Sequence, residues 1–269
     1  METHTEIPKV IPVKKVVQET SDVRTFYFEH SLNSQPGQFV MLWLPGVDEK
    51  PMSISSDIGD EFSLTICGRG DTTKKICNVE KGGKLGIRGP YGTSFHFEKD
   101  EKLVMIAGGY GAAPLQYAAV EASKKNCKVD FIICARSKKH LLYIDRLKNH
   151  SNLKLHIATD DGSMGYKGYG TDILKQLIEK QEIHRIMTCG PEPMMKLVGE
   201  LGDNKNINTQ ISVERYMKCG FGVCGQCTMD PLGIRTCVSG PVMNYNVLKM
   251  LDEFGKYQRD DLGKKQYFS

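Results

Sequence analysis

This chain of 269 residues is expected to fold as a β-barrel plus an α/β domain: an antiparallel barrel, a parallel-sheet unit, and a small cysteine-bearing segment at the C-terminal end. Three observations lead there. Residues 8 to 98 hold short β-branched and aromatic runs separated by Gly, Pro and Asp, the pattern of antiparallel barrels and sandwiches. From Leu103 onward, continuous apolar runs alternate with helical stretches, as in a parallel sheet with crossover helices. After about residue 210 the alternation stops and a glycine-rich cysteine loop follows.

The elements follow in order. VIPVKKVVQET, VRTFYFEH, GQFVMLWLP, MSISS and FSLTICGRG are the barrel strands. KPMSIS (Lys50 to Ser55) and GPYGTSF (Gly89 to Phe95) read on composition alone as an edge strand or a tight turn. LVMIAGG is apolar throughout, as a strand covered on both faces must be, and it breaks on glycines into the helical APLQYAAVEASKK. The pattern repeats as VDFIICAR then HLLYIDRLKNH, LKLHIATDD then GTDILKQLIEK, and HRIMTCG then PEPMMKLVGEL. A polar tail, EFGKYQRDDLGKKQYFS, comes last. The domains so read are 1–99, 100–210 and 211–269.

Composition excludes several classes. At 40% hydrophobic and 25% charged residues the chain has the profile of a folded soluble protein. A formal charge of +4 gives no case for nucleic acid. No apolar run approaches the ~18 residues of a membrane span, and METHTEIPKV lacks the apolar core of a signal peptide. A cytoplasmic location is expected, so the nine cysteines read as ligands or buried thiols rather than disulfides.

Cys219, Cys224, Cys227 and Cys237 stand as C-x4-C-x2-C-x9-C. The first three follow the plant-type spacing for a 2Fe–2S cluster. Gly220, Gly222 and Gly225 give the sharp turns that bring backbone N–H groups onto a cluster. Four thiolates suit tetrahedral zinc as well, although zinc ribbons pair two C-x2-C hairpins and only Cys224 and Cys227 form one here. Cys67, Cys77, Cys127, Cys134 and Cys189 are scattered as packing residues are.

IAGGYGAAPLQ follows the first buried strand and opens a helix. Gly108, Gly109 and Gly111 let the backbone approach a pyrophosphate, which the helix start favours. Pro114 replaces the last glycine of the usual G-x-G-x-x-G fingerprint, and proline is tolerated in a first helical turn. Asp160 and Asp161, after a later strand, are placed to accept from a ribose and to repel a 2′-phosphate, which favours NAD. Arg136, Lys138 and Lys139 point the other way, towards NADP. Cys189 and Gly190, in CGPEPMM, lie at a strand-to-helix turn facing the nicotinamide side.

KPMSIS, IAGGYGAAPL, TCGPEPMM and ERYMKCGFGVCGQC occur in that order. Together they resemble the ferredoxin–NADP reductase superfamily with a C-terminal 2Fe–2S loop. More narrowly, the chain is similar over essentially its whole length, FGKYQRDDLG tail included, to electron transfer subunits of the dihydroorotate dehydrogenase B type. The resemblance implies an FAD-binding barrel followed by an NAD-binding domain. The flavin motif R-P-x-S reads here Lys50, Pro51, Met52 and Ser53. By the resemblance, Ser53 hydrogen-bonds the flavin near N5 and Lys50 meets the pyrophosphate. Ser53 and Cys189 are thereby the candidate catalytic contacts. Lysine lacks the bidentate fork of arginine. Met52 stands where many members carry an aromatic residue, and its thioether can still cover a ring face. Arg69, Gly70, Thr72 and Thr73 match the second flavin segment, which approaches the phosphates.

The implied path runs from dihydroorotate to FMN on a separate catalytic subunit, then through this chain's cluster and FAD to NAD, in pyrimidine biosynthesis. The implied assembly is a heterotetramer, with no nucleic-acid or membrane partner. No residue pattern reads as a base for dihydropyrimidine oxidation. The same motifs also suit the flavin subunit of a hydrogenase, a sulfur reductase or a ferredoxin–NAD(P) oxidoreductase. A zinc-stabilised nucleotide-binding module without redox activity stays open on the residues alone.

Overall fold

The structure, a computed structural model, describes residues 7–268. β1 (Lys9–Gln18), β2 (Val23–Glu29), β3 (Phe39–Leu44), β4 (Asp48–Asp57), β5 (Glu61–Cys67) and β6 (Lys84–Tyr91) close into a barrel. The order is β1-β2-β5-β4-β3-β6, with every neighbouring pair antiparallel. Closure leaves no open edge on a set of short strands. Phe26, Phe28, Leu42, Ile54, Phe62 and Leu85 fill the interior, with Phe28 and Phe62 stacked at 4.9 Å. Ile76 of α1 (Asp71–Cys77) joins that core. GPYGTSF begins inside β6 and leaves it after Tyr91.

The second unit is a parallel sheet built from β7 (Lys102–Gly108), α2 (Ala112–Lys124), β8 (Lys128–Ala135), α3 (Ile144–Lys148), β9 (Leu153–Thr159), the two-residue β10 (Tyr166–Lys167), α4 (Gly170–Lys180), β11 (Arg185–Cys189), α5 (Glu192–Asp203) and β12 (Asn208–Ser212). HLLYIDRLKNH was expected to be helical throughout, but only α3, five residues long, is an α-helix. Leu141, Leu142 and Tyr143 are all buried in the domain core. Three consecutive apolar residues cannot share one helical face, and Tyr143 takes φ +59° to turn the chain.

The C-terminal segment adds β13 (Thr228–Met229), β14 (Ile234–Arg235), α6 (Thr236–Ser239), β15 (Val242–Asn244), α7 (Tyr245–Leu248), β16 (Tyr257–Arg259) and β17 (Lys265–Tyr267). β15 extends the large sheet as an antiparallel edge strand on β12, giving the order β10-β9-β8-β7-β11-β12-β15. The chain runs outward from β7 through β8 to β9, then crosses back to β11 on the other side of β7. Cys189 is thereby in register with Ala107, at the topological switch point where open α/β sheets bind ligands.

Barrel and sheet share a packed boundary. The Tyr117 ring, from α2, enters the barrel core, and its hydroxyl donates to the Ser34 carbonyl at 2.8 Å. Phe95, Phe97 and Val242 join the α/β core from the other side.

Candidate functional site

A cavity of about 510 Å³ opens along that boundary. β4 contributes Lys50, Pro51, Met52 and Ser53, and the turn into α1 contributes Arg69 and Gly70, followed by Thr72 and Thr73 of its first turn. From the sheet side come Gly111 and Cys189. The two sequence segments assigned to a flavin thus face the switch point across one space. The Cys189 thiol is buried, and burial together with the nearby Glu214 carboxylate pushes its pKa up, so it stays neutral.

Several lining residues stand inside the motifs ERYMKCGFGVCGQC and IAGGYGAAPL but had no role of their own assigned from the sequence. Glu214, Arg215, Tyr216 and Met217 form one wall, with Tyr110 opposite. Tyr110 Oη donates to Glu214 Oε2 at 3.4 Å, and the Arg69 guanidinium lies 5.1 Å from the Tyr110 ring centroid. Glu214 is open to the cavity but enclosed by its walls, and that enclosure raises its pKa above the ordinary carboxylate value. Glu214 in turn raises the Tyr110 pKa, with burial as the second cause. Topology was the available signal: β12 ends at Ser212, in register with Cys189, so the residues just after it must emerge at the same edge.

Lys50 is held on two sides. Its Nζ lies 2.6 Å from Asp48 Oδ2 and 3.3 Å from Tyr216 Oη. Thr72 Oγ1 donates to the same Asp48 oxygen at 3.4 Å.

Gly108, Gly109 and Gly190 lie at the neighbouring sheet edge. A Cβ on Gly108 would meet Pro191 at 2.5 Å, and one on Gly111 would meet the Cys189 carbonyl oxygen at 2.3 Å. These glycines let the ends of β7 and β11 pack backbone to backbone. Gly109 differs, with φ +55° and open space around it, as a close ligand approach requires. Asp160 and Asp161 stand farther along that edge, apart from the cavity wall and beside the basic candidates. Asp161 N donates to the Arg136 carbonyl at 3.2 Å, and Lys138 N donates to Ser163 Oγ at 2.7 Å. The acidic and basic groups therefore share one corner.

The four cysteines of the C-terminal loop associate as two pairs. Cys224 N donates to Cys219 Sγ at 3.5 Å, and Cys237 N donates to Cys227 Sγ at 3.4 Å. Burial opposes ionisation of Cys219, but backbone N–H groups of Cys224, Phe221 and Val223 outweigh it and bring the thiol down to about 6. Such a ring of N–H donors is suited to an anionic sulfur. The Cys237 thiol is pushed up to about 12 by burial and by Cys227. Two thiol pairs fit a two-iron cluster with two thiolates per iron. The loop rests on the barrel, where a Cβ on Gly220 would meet Met41 at 2.6 Å.

A buried ion network backs the cavity wall. Arg215 binds Glu192 through Nη1 at 2.6 Å and Nη2 at 3.1 Å, and binds Glu253 through Nε at 3.0 Å. Gly255 N donates to Glu192 Oε1 at 2.8 Å. The first turn of α5, the Glu214–Tyr216 wall and the C-terminal tail are thus joined at one guanidinium.

Comparison with known proteins agrees with this geometry. Residues 214–249 match the iron–sulfur cluster binding domain of dihydroorotate dehydrogenase B, and residues 105–200 match the oxidoreductase NAD-binding domain. A protein of Methanocaldococcus jannaschii named "Probable dihydroorotate dehydrogenase B (NAD(+)), electron transfer subunit" is 45% identical, covering 98% of this chain and 100% of its own. A Methanothermobacter thermautotrophicus protein of the same name is 39% identical over 96% and 97%. Among solved structures, one of an NADH-dependent reduced ferredoxin–NADP oxidoreductase, described for flavin-based electron bifurcation, superposes with a TM-score of 0.81 at 25% identity, covering 91% of this chain and 90% of that one. The FAD/NAD-binding domain of a Vibrio cholerae nitric oxide dioxygenase shares the fold, at a TM-score of 0.66 and 18% identity, over 76% and 98%.

Proposed function

The chain belongs to the family of dihydroorotate dehydrogenase B electron transfer subunits, and from that premise we propose that it relays electrons from a dihydroorotate-oxidising partner, through a 2Fe–2S centre and FAD, to NAD. It is an NAD-linked oxidoreductase subunit of pyrimidine biosynthesis and depends on that partner for the named reaction. The observation that carries the reading is a shared wall. Phe39 and Met217 line the cavity and also pack in one apolar cluster with Cys227 and Cys237. A bound flavin exchanges electron pairs with nicotinamide and single electrons with an iron–sulfur centre, which is the chemistry this position calls for.

The chain's residues take these roles. Ser53 offers a hydroxyl to the reacting edge of the isoalloxazine, and Pro51 and Met52 cover the ring. Lys50, Arg69, Gly70, Thr72 and Thr73 face the diphosphate. Cys189 gives the nicotinamide side an uncharged wall, since its thiol keeps its proton. Gly109, with open space beside it, admits the NAD backbone at the edge that Gly108, Gly111 and Gly190 shape by their close packing, and Asp160 and Asp161 take its adenosine ribose. Cys219, Cys224, Cys227 and Cys237 hold the cluster. The units carrying these sites are 1–99, 100–210 and 211–269.

We assign FMN to the catalytic partner and a heterotetramer to the assembly. Phe221 and Val223 are exposed on the loop that carries exposed Cys224, and exposed Val238 packs against Gly222 of that loop, an apolar surface suited to docking. No helix among the described residues is long and apolar enough to cross a membrane. A cytoplasmic setting is proposed, since cysteines serving as cluster ligands and packing thiols suit a reducing compartment. A different partner, as in a ferredoxin–NAD(P) oxidoreductase, is the second reading, favoured by the bifurcating structural neighbour.

The test mixes the reconstituted protein anaerobically with the FMN-containing dihydroorotate dehydrogenase subunit of the same source. Dihydroorotate and NAD should then give NADH only when both proteins are present. If NADH bleaches the flavin and cluster bands while dihydroorotate delivers nothing, the relay stands and the partner falls to the second reading.

A further inference from the structure

The cavity wall is poorly charged for the ligand assigned to it. Its carboxylates are Asp48, Asp71, Glu214 and Asp261, and its cations are Lys50, Arg69 and Arg215. Arg215 is committed to Glu192 and Glu253 behind the wall. Lys50 and Arg69 are then the cations able to turn towards a diphosphate. Yet Lys50 already holds a carboxylate, at 2.6 Å.

The position of that carboxylate is the informative point. Asp48 Oδ2 lies between Lys50 Nζ and Thr72 Oγ1, which donates to it at 3.4 Å. Lys50 and Thr72 come from two separate segments, β4 and α1, and both are assigned to the diphosphate. The anion they share in this structure is therefore the chain's own. Asp48 is itself fixed from the other side, with Oδ1 accepting from Glu49 N at 2.8 Å. Its side chain is about half exposed and lines the same cavity.

We propose that Asp48 is an affinity-setting residue of the flavin site: its carboxylate occupies the place of a phosphate oxygen between Lys50 and Thr72, and must share or surrender both donors when the diphosphate binds. The inference rests on the FAD reading of the cavity. A carboxylate beside a diphosphate repels it, and one paired with the lysine cancels the charge meant to attract it. Asp48 therefore holds flavin binding below what Lys50 alone would give. It acts on the diphosphate and not on the isoalloxazine, so the effect should be confined to ligands that carry phosphate.

The experiment titrates flavin-depleted protein with FAD and, separately, with riboflavin, following flavin fluorescence, while cluster absorbance reports that each variant is folded. Asp48→Asn should bind FAD about tenfold more tightly than the wild type and riboflavin equally well. Lys50→Met should weaken FAD by a similar factor. The double variant should return close to the wild type, because it removes the pair without changing net charge. Asp48→Asn that binds FAD no better than the wild type would overturn the proposal. So would an equal gain for riboflavin, which would place the effect in cavity shape. A wild-type protein that binds neither flavin would instead sink the FAD reading itself.

Discussion

At the scale of single residues, the ligand set of the cysteine loop is the sharpest expectation. Cys224 is the exposed member of the Cys219–Cys224 pair and is not among the residues that line the cavity. Cys224→Ser should lose the visible cluster bands and keep FAD, read as flavin absorbance released on denaturation. Full cluster absorbance in that variant would refute the assignment. The cysteine spacing was legible because a cluster dictates ligand spacing locally, within a single loop. Glu214, Tyr216 and Tyr110 stand inside visible motifs, but their place in the cavity wall was not legible from spacing. Glu214 and Tyr216 reach it because β12 ends beside β11, and Tyr110 because it follows β7, the other neighbour of β11. Asp48 was hidden for a related reason. It precedes the recognisable motif by two positions, and its importance lies in a contact with Thr72 from another segment.

Elements show the same division between local and distant causes. The βα alternation was readable because a buried parallel strand must be apolar on both faces; β7 satisfies that from Leu103 to Gly108, and β8 and β11 do so after their first residues, apart from Asp130 and Thr188. HLLYIDRLKNH reads as one helix in that alternation, but three adjacent buried residues, Leu141, Leu142 and Tyr143, demand a turn before α3. One pairing tests how the sheet is secured. Asp130 on β8 and His156 on β9 are in adjacent strands, with Asp130 Oδ1 2.6 Å from His156 Nε2. Burial opposes the Asp130 charge, but hydrogen bonds from His156 and Gln181 more than offset it and lower its pKa below 3.8. A depressed carboxylate contributes stability that is complete above its unfolded pKa and is lost as pH falls through the lower folded value. Asp130→Asn should therefore cost about 1 kcal/mol at neutral pH. The difference from the wild type should begin to shrink as the pH drops below about 3.8, where the carboxylate of the unfolded chain takes up its proton, and should vanish below the lower folded value. Denaturant melts at pH 7 and pH 3 would show it; an equal difference at both would mean that the charge contributes nothing.

For the whole molecule, the question is what makes the barrel, the sheet and the C-terminal segment act as one site. The barrel and sheet meet through Tyr117 and Ser34, and the cysteine loop rests on the barrel at Met41. The deepest link is electrostatic. Arg215, Glu192 and Glu253 are nearly inaccessible to solvent, and they come from the wall of the cavity, the start of α5 and the C-terminal tail. Glu253 Oε2 has no hydrogen-bond partner and lies 3.7 Å from Arg259 Nε, so one guanidinium carries most of the compensation for two buried carboxylates. Removing the shared cation should be far worse than neutralising one acid. Arg215→Met leaves both carboxylates buried and uncompensated, a loss of roughly 3–5 kcal/mol, or a melting temperature lower by about 10 °C in a chain of this size. Glu253→Gln keeps a hydrogen-bond acceptor for Arg215 and removes the excess negative charge, so its melting temperature should stay within about 3 °C of the wild type. Equal losses in the two variants would mean that packing, and not charge, unites the tail with the cavity wall. The predicted inequality would instead make the tail part of the site's frame, because Glu253 is where the polypeptide beyond the cysteines reaches the residues that line the cavity.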